Sequence, residues 1–574
     1  MGKKSRKKKR KNAEPESSVQ KRKNAFFNRI NPEYRYFPHL LAGFTFLIYL
    51  LIVVDYSGSP FSDGMIADSD YYVSWAKEIS HGELLNQAPF HQAPGYALFL
   101  GLVFRVFGQK YMAVYLIQVL LALISVLLVY KISRRFFDRT ISSAAMAGSA
   151  LCGPLVFYTL KILPESIAVF LLLSSLYGLL YADNRWKWLL TGVVMGVLTL
   201  FRAQGMLLLP PALLFLFLYR SEPLPRNALR ALQLTGGFIL ALLPVTTVNY
   251  LKSGDLIPVS WNGGIVFYLG NSPGANGAFK PIDGVSEQVY LGQDDVKTMA
   301  ERATGKQLSP NGVSRYWFGK GVEFIRNNPR DATILLLRKL RYFFAPREVA
   351  NMYYLSFERK EYTRTFWILL IGYFVILPFF AVGCIDVFSR FRERFILLVP
   401  VAVSLFTTTV YYFDERFRML CVPFMLIIGA AGACRLFTLK KDRLFRIGVL
   451  VVCGLLFGAL AIPRRDEISP ESSMLYMSGM MLYDRHDYQA ALRAFNKSYR
   501  MELGYPANLR DLSSGFGMAL CGFTIGEKRE EAVRFYIELF RKSNPEMRRF
   551  IQACGEYNGI RAYIAAHPEL LSGN

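Results

Sequence analysis

Apolar runs of about 18–22 residues recur along this chain, each long enough to cross a hydrocarbon core of roughly 30 Å as a helix. Lipid offers the backbone no hydrogen-bond partners, so helices rather than open strands must carry such runs across. The candidate spans lie near 38–56, 111–131, 140–158, 164–182, 186–202, 205–219, 231–250, 365–388, 395–413, 417–436 and 446–463. The pattern predicts an all-α polytopic membrane protein of about eleven transmembrane helices. Composition agrees: 52% of the 574 residues are hydrophobic, and a soluble chain of this length shows apolar stripes rather than runs. The first run, Pro38 to Tyr56, is too long and too far from the N-terminus for a cleaved signal peptide, and reads as an uncleaved anchor. The shorter stretch Pro94 to Phe107 follows a Pro-rich turn and reads as a juxtamembrane helix.

The formal charge of +25 is concentrated in a lysine-rich tail, Lys3 to Lys23, and in short loops between apolar runs. A basic tail before a first span is topogenic and can meet anionic headgroups. It lacks the interleaved aromatics of a nucleic-acid-binding segment, so no nucleic-acid partner is expected. With this tail (1–37) inside, alternation places Lys131–Arg139, Arg185–Lys187, Arg220–Arg230, Arg390–Arg394 and Lys440–Arg446 inside as well, every one basic. The membrane domain then spans 38–463 and sends out two large loops, 57–110 and 251–364, followed by an external helical domain, 464–574. In that last domain Gly479, Tyr483, Ala491 and Phe495 stand at tetratricopeptide-like spacing. One or two such repeats cannot bury a good core alone and are expected to pack on the membrane domain or on a protein partner. None of the seven cysteines forms a CxxC pair, and most lie in apolar runs. Cys521 and Cys554 are the pair placed to form a disulfide if that domain is external.

The first external loop holds the sharpest chemical signal, A67-D-S-D-Y-Y-V-S-W-A-K-E-I-S-H-G82. Asp68, Tyr72 and Ala76 share one helix face. Asp68 opens that helix, where an aspartate also serves simply as an N-cap. Asp68 and Asp70 together could bind a divalent cation such as Mg²⁺. His81 and His91 lack a third ligand at zinc spacing. Glu165 starts an apolar helix; a carboxylate at membrane depth is costly and usually functional, although at a helix N-terminus it also suits the dipole. Arg202, Arg416 and Arg418 fall at the outer ends of spans, where guanidinium forks suit phosphate oxygens and where arginines also snorkel to the interface.

These residues carry a resemblance. Asp68, Tyr72, Ala76 and Gly82, followed by Pro94-Gly95-Tyr96, resemble the first external loop of the glycosyltransferase C superfamily. The nearest likeness is to bacterial relatives of dolichyl-phosphate-mannose protein mannosyltransferases and of the lipid A aminoarabinose transferase. Pro164-Glu165, Phe201-Arg202, Asn249-Tyr250, Trp261-Asn262-Gly263-Gly264, Gly270-Asn271-Ser272-Pro273, Asn328-Pro329, Lys339, Glu348, Asn351 and R416-F-R-M-L-C-V-P423 resemble further family segments in the expected order. The chain departs from the family at Ala93, where a proline is common, at Phe417, where tyrosine is common, and in carrying the extra acid Asp70.

The resemblance implies a membrane enzyme that moves a sugar from a polyprenyl-phosphate donor to a glycan, lipid or protein acceptor by inverting single displacement. Asp68 is then the general base, with Glu165 beside it for acceptor positioning or support. Asp70, Tyr72, His91, Tyr96, Arg202, Arg416 and Arg418 are expected to face donor phosphate or substrate. It also implies a bacterial inner membrane, with the site on the outer side. Two other function classes remain open in the sequence: a transporter or lipid flippase, and a membrane scaffold recruiting partners through its C-terminal helices. A transporter would carry midplane ionisable groups and inverted repeats, and the acids here cluster at external boundaries instead.

Overall fold

Proline at the first helical turn opens α1 (Phe37–Tyr56), where its missing N–H costs nothing. A computed structural model describes residues 36–219, 222–282, 284–285, 289–349, 352–438, 442–462, 470–503, 513–526, 528–543, 548, 551–552 and 554–572. Residues 1–35 of the basic tail, Asn351 and the domain boundary at Pro463 lie outside the described residues. Two helices, α2 (Asp68–Ser80) and α3 (Gly95–Phe107), form the first loop, the second a short apolar helix. Then come α4 (Tyr111–Phe136), α5 (Arg139–Ala150) and α6 (Gly153–Thr159). The run expected as one helix over 140–158 is therefore broken. At the break Gly153 N–H donates to the Ile371 carbonyl at 2.9 Å and Ile371 N–H to the Leu151 carbonyl at 3.1 Å, which takes both groups out of the helical ladder.

The chain continues through α7 (Glu165–Tyr181), α8 (Arg185–Phe201), α9 (Leu209–Tyr219) and α10 (Leu224–Ser253). Helices α8 and α10 lie almost in backbone contact, because a Cβ on Gly192 would overlap the Leu234 carbonyl. Small residues at such seams are how apolar helices associate without a hydrophobic driving force between them. The long loop folds as α11 (Gly263–Gly270), α12 (Val289–Thr304), α13 (Pro310–Asn327), α14 (Pro329–Phe344) and α15 (Leu355–Glu361). The last apolar segments are α16 (Tyr373–Phe388), α17 (Val399–Val410), the one-turn α18 (Glu415–Arg418), α19 (Val422–Thr438) and α20 (Arg443–Ala461).

Among the described residues α1, α4, α10 and α20 are individually long and apolar enough to span a membrane. Helix α16 and the stretch Phe391–Leu397 form a fifth candidate bent by 120°, and α7, α17 and α19 are shorter apolar helices. Breaks and 3₁₀ turns within the runs, at Leu151–Cys152, Arg364–Ile368 and Phe395–Leu397, shorten these helices relative to the sequence reading.

The basic loops gather at one end of this multi-pass bundle. Arg394 donates to the Phe136 carbonyl at 3.1 Å, Arg392 to that of Leu218 at 2.8 Å, and Tyr181 to that of Lys131 at 3.0 Å. Asp386 lies buried among Arg435 and Arg446 at this same end. At the other end sit the two long loops and the C-terminal helices, among the described residues α21 (Pro470–Asp484), α22 (Tyr488–Leu503), α23 (Ser513–Ile525), α24 (Arg529–Lys542) and α25 (Asn558–Ala566). Phe495 of α22 fills the space left by Gly479 and Gly517. These helices dock on both loops: Arg485 donates to Asp63 of the first at 2.9 Å and to its Ser59 carbonyl at 2.8 Å, and Lys497 pairs with Glu361 of the second at 2.6 Å. Cys521 and Cys554 are both free thiols, so the disulfide left open by the sequence is not formed.

Candidate active site

Helix α2 begins without a side-chain cap. The cap position is Ala67, with φ 46° and ψ −116°, a conformation that a residue with a Cβ rarely adopts. Asp68 is thus the first helical residue rather than the cap, which corrects the simple capping reading. Its carboxylate turns away from the helix and accepts from Arg416 Nη1 at Oδ2, 2.6 Å away. The following residues diverge. Ser69 is buried, with its hydroxyl 2.9 Å from that of Tyr353, whereas Asp70 is exposed. The two acids of the Asp-Ser-Asp triplet therefore meet different surroundings. Tyr72 returns one turn later beneath Asp68, buried, with its hydroxyl pushed up to about 12 by burial despite the nearby Arg202 guanidinium.

Arg416 owes its direction to Asp414. The Asp414 carboxylate caps α18 by accepting from Arg416 N–H at 3.0 Å, and it also takes Nε at 3.1 Å and Nη2 at 2.8 Å. This planar fork-on-carboxylate geometry leaves Nη1 to reach Asp68. The segment before α18 is held by both ends of the long loop. A Cβ on Gly270 would overlap the Tyr411 carbonyl, and Asn271 donates to the Val410 carbonyl at 2.8 Å. Lys339 of α14 donates to Asn271 at 3.0 Å and to the Thr409 carbonyl at 3.2 Å. Burial pushes this ammonium down to about 8.

Arg418 faces the other way. Its guanidinium donates to the carbonyls of Phe343, Ala345 and Arg347 at 3.2, 2.9 and 3.3 Å, pairs with Glu415 at 2.6 Å and lies 3.7 Å over the Tyr373 ring. The structure does not bring it to Asp68.

Glu165, buried at the start of α7, pairs with Arg202 at the end of α8. Arg202 lies within electrostatic range of Arg416, Tyr72, Asp414 and Asp68, so a second guanidinium adds positive potential near the carboxylate that Arg416 contacts. His91 stands edge-on to Trp261 with ring centroids 4.5 Å apart. Its Nδ1 is buried with no hydrogen-bond partner among the described residues. Burial pushes its pKa down to about 4, opposed by Asp68. Tyr96 is fully buried, and its hydroxyl donates to Gln118 at 3.0 Å. Its ring meets Tyr72 edge-on at 5.2 Å, so it supports the site from behind. His81 is exposed, with Nδ1 2.8 Å from the Lys77 carbonyl.

The sequence reading passes over Asp414, Tyr353, Lys161 and Glu358. Asp414 stands two residues from Arg416 and could have been found by asking what would orient that guanidinium. The other three act across long sequence separations and leave no local signal. Glu348, singled out only by resemblance, is pushed up to about 7 by burial, against the pull of the Ser356 amide that donates to it at 3.1 Å. Among the described residues no three His, Cys, Asp or Glu side chains converge as a metal-ligand set.

Chemically, the site offers a carboxylate with one oxygen held by Arg416 and the other without a hydrogen bond among the described residues, and the Arg202 guanidinium lies in electrostatic range at the end of the bundle that carries the long loops. Such a set can accept a proton and stabilise a developing anion. Residues 91–250, which include His91, Tyr96, Glu165 and Arg202, match the family model of dolichyl-phosphate-mannose-protein mannosyltransferase. The match agrees with the glycosyltransferase C resemblance. Two solved structures are similar to the chain. One is the apo oligosaccharyltransferase of Archaeoglobus fulgidus (14% identity, 89% of this chain and 61% of that one, TM-score 0.42). The other is the archaeal oligosaccharyltransferase from Archaeoglobus fulgidus in complex with an inhibitory peptide and a dolichol-phosphate (14% identity, 90% of this chain and 59% of that one, TM-score 0.43). The chain thus spans about three-fifths of the length of these proteins. No curated protein matches it.

Proposed function

We infer that this chain, with its central segment matching the mannosyltransferase family, is a membrane glycosyltransferase of the glycosyltransferase C type that uses a polyprenyl-phosphate-linked sugar. The observation that carries the reading is the line Asp414–Arg416–Asp68 beside the Glu165–Arg202 pair, at the end of the helices away from the basic loops.

In this reading the acceptor hydroxyl gives its proton to the free oxygen of Asp68 as its oxygen bonds to the anomeric carbon. The bond from that carbon to the phosphate oxygen breaks, and the electron pair leaves with the polyprenyl phosphate. A single displacement inverts the anomeric configuration. Negative charge grows on the departing phosphate, so fixed guanidinium charge lowers the barrier more than it tightens ground-state binding. Arg202, partly accessible, is suited to that phosphate. Arg416, committed to Asp414 and Asp68, mainly aims the base and adds positive charge beside it. Glu165 fixes Arg202, and His91 with Trp261 offers a neutral wall for the sugar. The site lies on the outer face of a bacterial inner membrane, and the C-terminal helices close its rim.

The test is a transfer assay in proteoliposomes. Purified protein is given radiolabelled polyprenyl-phosphate sugars and envelope extract, and free polyprenyl phosphate and glycosylated product are followed together. Stoichiometric appearance of both supports the reading. Lipid movement across the bilayer with no sugar released contradicts it.

A further inference from the structure

Lys161 sits on the α6–α7 connection, four residues before Glu165, with no contact to solvent. Its Nζ lies 2.7 Å from both oxygens of Glu358, which is equally buried, and donates to the Tyr56 hydroxyl at 3.0 Å. Four rings surround the ammonium, those of Phe157, Tyr56, Tyr353 and Phe61, with centroids at 4.4, 4.6, 4.6 and 5.6 Å. At this range a ring quadrupole attracts a cation.

A buried ion pair is a poor way to gain stability, since desolvation offsets its Coulomb attraction and apolar replacements are often neutral. What this pair supplies is geometry. The ammonium lies against the ring of Tyr353, whose hydroxyl is 2.9 Å from that of Ser69, the residue next to Asp68. The turn it reaches needs holding: Ala67 is in a disfavoured backbone conformation and no side chain caps α2. The Lys161 carbonyl also accepts from Gln118 at 3.0 Å, which in turn takes the Tyr96 hydroxyl. One residue therefore ties together the first loop, the close of the long loop and the turn that presents Glu165.

We propose that Lys161, locked to Glu358 inside this aromatic cage, is a positioning residue that sets the first turn of α2 and so the direction of the Asp68 carboxylate. The proposal rests on the reading of Asp68 as the base.

Two variants test it. Tyr353→Phe removes only the hydroxyl that reaches Ser69. The double variant Lys161→Met/Glu358→Leu replaces the pair with apolar side chains and leaves no orphaned charge to unfold the protein. Each is compared with wild type in the transfer assay, per folded molecule, and by hydrogen–deuterium exchange across residues 67–72. The expected result is faster exchange of that turn and a kcat reduced about tenfold or more, with donor KM within about twofold. Unchanged exchange in both variants overturns the proposal, as does faster exchange with wild-type kcat. If wild type itself transfers no sugar, the glycosyltransferase reading fails, and the exchange data alone decide whether the cage holds the turn.

Discussion

Arg416 and Asp68, 348 residues apart in the chain, meet through a 2.6 Å hydrogen bond from Nη1 to Oδ2. Because Asp414 occupies Nε and Nη2 of the same guanidinium, the contact is directional rather than a loose ion pair. It commits one oxygen of Asp68, and no hydrogen bond from a described residue reaches the other.

Arg416→Lys keeps the charge and loses the fork. A lysine is a point donor and cannot hold Asp414 and Asp68 at once. The expected outcome is a loss of about 100-fold in kcat, with the folded fraction retained in size-exclusion profiles. Near-normal turnover by this variant would show that the fork is dispensable.

Arg418 and Arg202 should separate cleanly. Arg418→Met removes the partner of a buried carboxylate and of three carbonyls, so it should destabilise the fold by about 3–5 kcal/mol. Thermal aggregation in detergent reads that loss, and donor KM in the surviving folded protein should stay the same. Arg202→Gln should instead lower kcat and raise donor KM, since Arg202 is the partly accessible cation of the site.

Ala67→Gly should stabilise the protein, because glycine adopts φ 46° without the penalty paid by alanine. The gain is about 1 kcal/mol, visible as a higher unfolding temperature. Ala67→Val should lower it.

His91 gives a pH signature. Its pKa in the fold is about 4 against 6.5 in the unfolded chain, so folding favours the neutral ring. Its effect on stability fades above pH 6.5, as the ring becomes neutral in the unfolded chain as well. Stability is lost as pH falls from 6.5 toward 4, because the unfolded state takes up the proton first. His91→Gln should remove this slope, leaving wild type to lose about 1.5 kcal/mol more than the variant between pH 6.5 and 5. Unfolding temperatures of the two proteins across that range provide the check.

Much of the architecture is legible in the sequence because apolar runs and basic loops are local signals. The meeting of Asp68, Tyr72, Glu165, Arg202 and Arg416 at one end of the bundle follows from their positions at the same ends of successive runs. Side-chain direction is a different matter. Arg416 and Arg418 look equivalent in a list of arginines, yet two residues apart on a single helical turn they point to different surroundings. Asp70 resembles Asp68 by composition but emerges into solvent. The strained cap at Ala67 has no sequence marker, since alanine is the commonest of helical residues. Lys161 and Glu358 stand 197 residues apart, and only the closure of the long loop over the first brings them together.

The most direct measurement is the single-turnover rate of sugar transfer by Asp68→Asn, set beside Asp70→Asn and normalised to folded protein. Asparagine keeps the size of the side chain and removes its capacity to take the acceptor proton. The account predicts that Asp68→Asn loses at least about 1,000-fold in rate while Asp70→Asn stays within about threefold of wild type, as befits an exposed residue outside the Arg416 contact. A fast Asp68→Asn, or a dead Asp70→Asn beside it, would contradict the assignment of the base and with it the mechanism built on the Asp414–Arg416–Asp68 line.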